Sequence, residues 1–290
     1  MVMIGLLPNP KKRNITDIID WLASFFSERN HRVCLPLSVA EKVNRPELGI
    51  PEAEFWPAIN FAITLGGDGT LLSATRKLSP YGVPVCGVNL GRLGFLTEIE
   101  TTDLTWAAER LANGDYEIGT RTMLDMSVSG IGDSCCFLSN ALNDIVVTKN
   151  GAARIARLKV FIDGAFAANY VADGLIVGTA TGSTAYAFSA GGPVIHPALP
   201  LIQLTPICPH SGMARSLIVP DSAVIEVQLV SGQQDMVATV DGQVTMPLAD
   251  TDTILIRKSA HVASFIQLGE KSYYHTVRSK LWCGERDADF

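Results

Sequence analysis

The stretch FAITLGGDGTLLSATRKL, Phe61 to Leu78, carries the reading of the fold. A short apolar run stops at Gly66-Gly67 and a helix-like pattern resumes after Thr70, which predicts strand, tight turn and helix. Turns of this kind hold anions, because backbone N–H groups and a helix N-terminus both face them. Gly66, Gly67 and Gly69 permit φ > 0 and close approach of a ligand to the backbone. No lysine follows at the P-loop position, and the spacing is not G-x-G-x-x-G, so neither common nucleotide fingerprint is present. A carboxylate, Asp68, stands in the middle of the turn. Two unit charges about 4 Å apart repel by roughly 4 kcal/mol at an effective dielectric near 20, so a carboxylate beside polyphosphate needs an offsetting gain. A divalent cation supplies one, and so does proton transfer from an attacking hydroxyl; both belong to phosphoryl transfer. The plainer alternative is a βα turn in which Asp68 caps the helix.

Outward from this turn, the first third alternates strands and helices. Val2–Leu7, Arg32–Leu35 and Val83–Val88 are short apolar runs. NITDIIDWLASFFSERN places Ile15, Ile18, Ile19, Leu22, Phe25 and Phe26 on one helical face, with Asn14 as its expected N-cap. DLTWAAERLANGD has helical spacing and stops at Gly114, a C-cap. The alternation predicts an α/β domain with a parallel sheet. From about Tyr116 short β-like runs take over, with hairpin turns at Asp163-Gly164 and Asp241-Gly242. The expected organisation is an α/β phosphate-loop domain over residues 1–115, completed by a helical tail at 272–290, and a β-rich, sandwich-like or multi-sheet domain over 116–271.

Composition bounds the partners. A net charge of −6 argues against sequence-independent nucleic-acid binding, which needs a basic footprint. No apolar run approaches the roughly 18 residues of a membrane span, and the N-terminus lacks a signal-peptide pattern, which predicts a soluble intracellular protein with no nucleic-acid or membrane partner. The six cysteines are scattered without a C-x-x-C pair, as expected of reduced, mostly buried thiols.

GGDGT resembles the signature shared by NAD kinases, lipid kinases of the diacylglycerol and sphingosine type, and phosphofructokinases. DGLIVGTATGSTAYAFSAGGPVIHP, Asp173 to Pro197, chooses among them: it resembles the NAD kinase hallmark D-G-x-I-x-x-T-P-T-G-S-T-A-Y-x-x-S-A-G-G-P, with Gly178 and Ala180 where the family commonly has Ser or Ala and then Pro. The segment packs the hydroxyls of Thr179, Thr181, Ser183, Thr184 and Tyr186 around Gly182, which reads as orienting hydrogen bonds beside a flat ligand. NLGRLGFLTEI resembles the family's N-x-G-x-L-G-F-L segment near the adenine, with Phe95 available to stack. ALNDIVV resembles its N-E/D motif. The pair Asn143-Asp144, set in an apolar strand, needs partners; ribose hydroxyls, a nicotinamide amide or a neighbouring turn would each serve. PICPHSGMARSLIVP resembles a further family segment, with Gly212 and Ser216 in place of Leu and Pro; His210 and Arg215 read as structural or interface residues. VDGQ resembles the late D-G-Q motif. Ser73 occupies the position, five after the loop aspartate, where many relatives carry a base.

The resemblance implies an NAD kinase: transfer of the terminal phosphoryl group of ATP to the 2′-hydroxyl of the adenosine ribose of NAD⁺, with inorganic polyphosphate open as an alternative donor. It implies Asp68 as catalytic base, Gly66 and Gly67 as the phosphate loop, and Mg²⁺ with the donor. It implies NAD⁺ contacts at Asp68, Gly69, Asn143, Asp144, Arg154, Asp173, Thr184, Ala185, Tyr186, Ala187, Phe188, Ser189 and Gln243. No protein residue is singled out as a metal ligand. A cytoplasmic homodimer or homotetramer is implied, with the β-rich domain at the interface. The competing readings are a lipid kinase, which needs an apolar groove, and a non-catalytic NAD-binding regulator.

Overall fold

A computed structural model describes residues 1–91, 94–130, 136–151, 155–210, 215–230, 235–269 and 273–282. The chain forms two compact units, Met1–Thr120 with Ala263–Phe290, and Arg121–Val262.

The first unit opens with β1 (Met3–Pro8), α1 (Ile15–Ser27), β2 (Arg32–Pro36), α2 (Leu37–Lys42), β3 (Gly49–Ile50) and α3 (Glu52–Ala58). β4 (Phe61–Gly66), α4 (Asp68–Leu78), β5 (Val85–Asn89), β6 (Ile99–Glu100) and α5 (Leu104–Asn113) follow. The strands run β5-β4-β1-β2-β3, all parallel. β4 is buried at every residue, as the continuous apolar run demands of a strand covered on both faces. α1 buries Ile15, Ile19, Leu22 and Phe26, one stripe of the predicted face. Asn14 does stand before it, but at φ 56 and with no side-chain bond to the helix, so the expected N-cap is a left-handed turn residue instead. Gly114 ends α5 at φ 71, the conformation for which glycine is used.

From β1 the chain steps one way to β2 and β3 and the other way to β4 and β5. In open parallel sheets the crevice between two such strands, beyond their C-terminal ends, is where ligands bind. Here those ends are Pro8 and Gly66, so the topology delivers the glycine turn to that position.

In the second unit β7 (Glu117–Ser129), β8 (Cys136–Ala141), β9 (Asp144–Lys149), β10 (Ala156–Ile162), β11 (Ala165–Ala172) and β12 (Gly174–Thr179) precede a short helix α6 (Tyr186–Ser189). β13 (Leu201–Ile207), β14 (Leu217–Pro220), β15 (Ile225–Leu229), β16 (Met236–Val240), β17 (Val244–Leu248) and the first part of β18 (Thr253–Gln267) complete it, while the end of β18 and α7 (Tyr273–Val277) belong to the first unit. One antiparallel sheet has the order β14-β13-β12-β9-β16-β17, and a second set runs β11-β10-β15-β18. Alternate residues of both, among them Ile145, Val147, Leu158, Leu175, Val177, Val227 and Ile254, fill one apolar core, the sandwich-like arrangement expected. Asp163-Gly164 and Asp241-Gly242 have φ of 50, 77, 49 and 64, the paired positive values of a two-residue hairpin turn.

Among the described cysteine side chains Cys34 and Cys86 are buried and Cys208 is exposed. No helix of the described residues is long and apolar enough to cross a membrane.

Candidate active site

In the first unit the glycine turn is built by close approach rather than by left-handed backbone. None of Gly66, Gly67 and Gly69 uses the positive φ that glycine permits; Gly67 is extended at φ −140, ψ −170. Any Cβ on Gly66 would lie 2.7 Å from the Thr70 Cβ, so glycine is required there by space. Gly69 is exposed on the first turn of α4.

Asp68 opens α4, and its carboxylate is turned toward the segment after β5. It accepts the Phe95 N–H at 2.7 Å, the Leu96 N–H at 3.3 Å to both oxygens, the Thr97 N–H at 3.1 Å and the Thr97 hydroxyl at 3.0 Å. The charge is therefore met by three consecutive backbone donors and a hydroxyl. Gly94 makes this possible, since a Cβ there would overlap the Asp68 carboxylate. Gly94→Ala is expected to push the carboxylate off the amides of residues 95–97 and to lower the melting temperature by several degrees, each such bond contributing about 1.5–3 kcal/mol. Hydrogen exchange at residues 95–97 beside a thermal melt checks this. Phe95 itself is half-buried, with the Lys280 ammonium 5.6 Å from its ring centroid.

A second carboxylate does the same work in the second unit. Asp241, at the β16–β17 hairpin, accepts the N–H groups of Leu142 at 3.1 Å, Asn143 at 2.8 Å and Asp144 at 3.2 Å. Sequence reading passed over this residue and took Gln243, which is exposed two positions on. The aspartate of VDGQ was the available signal, read only as turn chemistry. The segment so held carries two unusual groups. Asn143 Oδ1 is buried and has no hydrogen-bond partner among the described residues. Asp144 is buried, and burial first, with the Asp241 carboxylate second, pushes its pKa up to about 7.

The hallmark segment lies against this turn. Any Cβ on Gly182 would come within 2.8 Å of the Asn143 Cα, and the Asn143 carbonyl accepts the Thr179 N–H at 2.8 Å. Two hydroxyls expected to face ligand are spent on backbone instead. Thr179 Oγ1 donates to the Leu142 carbonyl at 2.6 Å and accepts the Gly182 N–H at 3.1 Å. Ser183 Oγ donates to the Ile195 carbonyl at 3.1 Å and accepts its N–H at 3.0 Å. These bonds fix the loop, so it is the carrier of a site more than its lining. Ala180 keeps φ −58, the value a proline ring would impose. Ser216, another departure, bonds Thr205 through its hydroxyl at 3.0 Å.

Thr184 and Ala185 are half-buried and Tyr186, Phe188 and Ser189 exposed, while Ala187 points into a small core with Val146, Ile176 and Ile207. Asp173 is half-exposed and paired with the Lys149 ammonium at 2.7 Å. Arg154 lies outside the described residues.

No group of three His, Cys, Asp or Glu among the described residues could hold a metal ion. At the glycine turn the carboxylate present, Asp68, is committed to backbone donors. Among the described residues the turn therefore offers no preformed metal cage.

Both halves match known families. Residues 4–116 match the ATP-NAD kinase N-terminal domain and residues 142–268 the ATP-NAD kinase C-terminal domain. An NAD kinase of Heliobacterium modesticaldum is 40% identical over 288 residues, covering 98% of this chain and 100% of the relative. One of Moorella thermoacetica is 42% identical over 281 residues, covering 97% and 89%. Among solved structures, yeast NADH kinase complexed with NADH superposes with a TM-score of 0.87 at 25% identity, covering 100% of this chain and 89% of that one. An NAD kinase from Archaeoglobus fulgidus in complex with ATP gives 0.74 at 25% identity, covering 96% and 97%.

Proposed function

The chain belongs to the NAD kinase family, and from that premise we propose how its residues divide the work. The activity is that of an NAD kinase, a phosphotransferase that moves the terminal phosphoryl group of ATP to NAD⁺. The acceptor is the 2′-hydroxyl of the adenosine ribose, and the products are NADP⁺ and ADP. Asp68 is the general base. As the ribose oxygen bonds to the γ-phosphorus, the bond from that phosphorus to the β,γ-bridging oxygen breaks, and the hydroxyl proton passes to the Asp68 carboxylate. The long, shared bond from the Leu96 N–H, 3.3 Å to each oxygen, is the one the hydroxyl displaces. Gly66 and Gly67 receive the donor phosphates, which arrive as the Mg²⁺ complex of ATP; the cation is part of the substrate. One observation carries the assignment: a half-exposed carboxylate fixed at the head of α4, at the strand ends where a parallel sheet binds ligands.

In the second unit Asn143, Asp144, Asp173, Arg154, Gln243 and the segment Thr184–Ser189 seat the dinucleotide. The unpartnered Asn143 Oδ1 and the Asp144 carboxyl, which holds a proton about half the time near neutrality, can accept from and donate to hydroxyl or amide groups. The protein works in the cytoplasm, supplying NADP⁺, as a homodimer or homotetramer in which the β-rich unit forms the interface. The lipid-kinase and regulator readings gain nothing from these likenesses, which cover both halves of the chain.

Incubation of purified protein with MgATP and NAD⁺, read by an enzyme specific for NADP⁺, is expected to show turnover. Product no higher than in an enzyme-free control would overturn the assignment.

A further inference from the structure

Three loops meet beyond the C-terminal ends of β1, β4 and β5. The Asn9 N–H donates to the Leu65 carbonyl at 2.8 Å, and the Leu90 N–H donates to the Gly66 carbonyl at 2.6 Å. The loop after β1 is a tight turn. Asn9 accepts the Lys12 N–H on its carbonyl at 3.1 Å and the Lys11 N–H on its side chain at 3.0 Å, with Pro10 at the position that favours such turns. Lys12 leaves this turn half-buried, and its ammonium lies 3.3 Å from the Leu90 carbonyl. It sits 3.1 Å from where a Cβ on Gly91 would stand. The Asn89 side-chain oxygen joins the loops: it accepts the Gly91 N–H at 3.0 Å and lies 4.0 Å from where a Cβ on Gly67 would stand.

The charge balance around the turn makes this position informative. α4 begins with Asp68 and has no basic residue before Arg76 and Lys77 in its last turn. A phosphate chain on the glycine turn thus meets backbone amides and a helix N-terminus, which are partial charges, and no full positive charge from α4. Lys12 supplies a full charge from the neighbouring loop. Among the described residues the Leu90 carbonyl is its one hydrogen-bond partner, which leaves two of its three N–H donors for oxygens of a ligand. Glycine at position 91 places no side chain against the ammonium.

We propose that Lys12 binds the phosphate chain of the phosphoryl donor, replacing the cation that α4 does not provide. This rests on the reading of the glycine turn as the donor site. The chemistry recognised is a phosphoanhydride chain, as found in a nucleoside triphosphate or in inorganic polyphosphate.

The test compares the full-length wild type with Lys12→Met and Lys12→Arg. KM for MgATP is expected to rise about tenfold in Lys12→Met and to stay within about threefold in Lys12→Arg, with KM for NAD⁺ unchanged in both. Inorganic tripolyphosphate with Mg²⁺, used as a competitor against ATP, is expected to lose affinity in Lys12→Met by the same factor. A loss seen with ATP and not with tripolyphosphate would place Lys12 at the nucleoside and overturn the proposal. So would an unchanged KM for ATP, or a parallel rise in both KM values with a lowered melting temperature. Wild-type protein that makes no NADP⁺ would fail the kinase reading instead, and tripolyphosphate binding to wild type and Lys12→Met would still decide the lysine.

Discussion

Asp68→Asn lowers kcat for NADP⁺ formation by about three orders of magnitude, within the range for loss of a positioned general base, while NAD⁺ binding survives. The substitution is not a clean removal of basicity, because this carboxylate also holds residues 95–97. Asparagine offers one acceptor oxygen where aspartate offers two, and its NH₂ group faces backbone donors. Each hydrogen bond to a charged group contributes about 1.5–3 kcal/mol, so the segment after Gly94 loosens as the base is lost. Two measurements separate these effects. Hydrogen exchange at the amides of residues 95–97 reports the clamp. Thr97→Val removes the 3.0 Å hydroxyl bond and leaves the carboxylate in place, so its kcat is expected to fall by less than about fivefold. If Asp68→Asn keeps more than about a tenth of wild-type kcat while exchange at 95–97 rises, Asp68 is a clamp and the base lies elsewhere.

The second large effect is on stability. Asp144 has its pKa raised from 3.8 to about 7. Between those values the folded chain holds a proton that the unfolded chain has released, so stability falls as pH rises from about 4 to 7 and is level above that. The full cost reaches roughly 4 kcal/mol above pH 7, at about 1.4 kcal/mol per tenfold change in proton affinity. Asp144→Asn carries no charge to desolvate. Its melting temperature is expected to exceed that of wild type by several degrees at pH 8 and to converge with it below about pH 4. The difference between the two curves isolates this group from the other carboxylates. Parallel curves between pH 4 and 8 would show that Asp144 ionises in the fold at no cost. A stabilised variant that binds NAD⁺ less well would show that the strain is retained for the ligand.

The alternation of strands and helices and the hairpin turns were legible because they follow from local rules: apolar runs of buried strands, period 3.6, and Asp-Gly at positive φ. Asp68 and the hallmark segment were legible as unusual chemistry for the same reason, each being contiguous. What could not be read is how these segments are held. The donors that meet Asp68 come from 27 to 29 residues away, and those that meet Asp241 from 97 to 99. No periodicity marks such pairs. The hydroxyls of Thr179 and Ser183 looked like ligand contacts because composition cannot say which way a side chain turns, and the backbone nearby had unmet needs that took them first. The inward Ala187 and the uncapped Asn14 have the same origin: residue type limits what a position can do, and neighbours choose among the options.

The long reach of Asp241 bears on how the protein is made. Asn143 and Asp144 leave the ribosome nearly a hundred residues before the carboxylate that fastens them, a delay on the order of 5 to 20 s at ordinary rates of synthesis. Until then their amides have no such anchor and the buried acid no settled surroundings, so this turn is completed late in translation. A nascent chain stalled before residue 241 should show fast hydrogen exchange at the amides of residues 142–144, and exchange there should slow once Asp241 has been added.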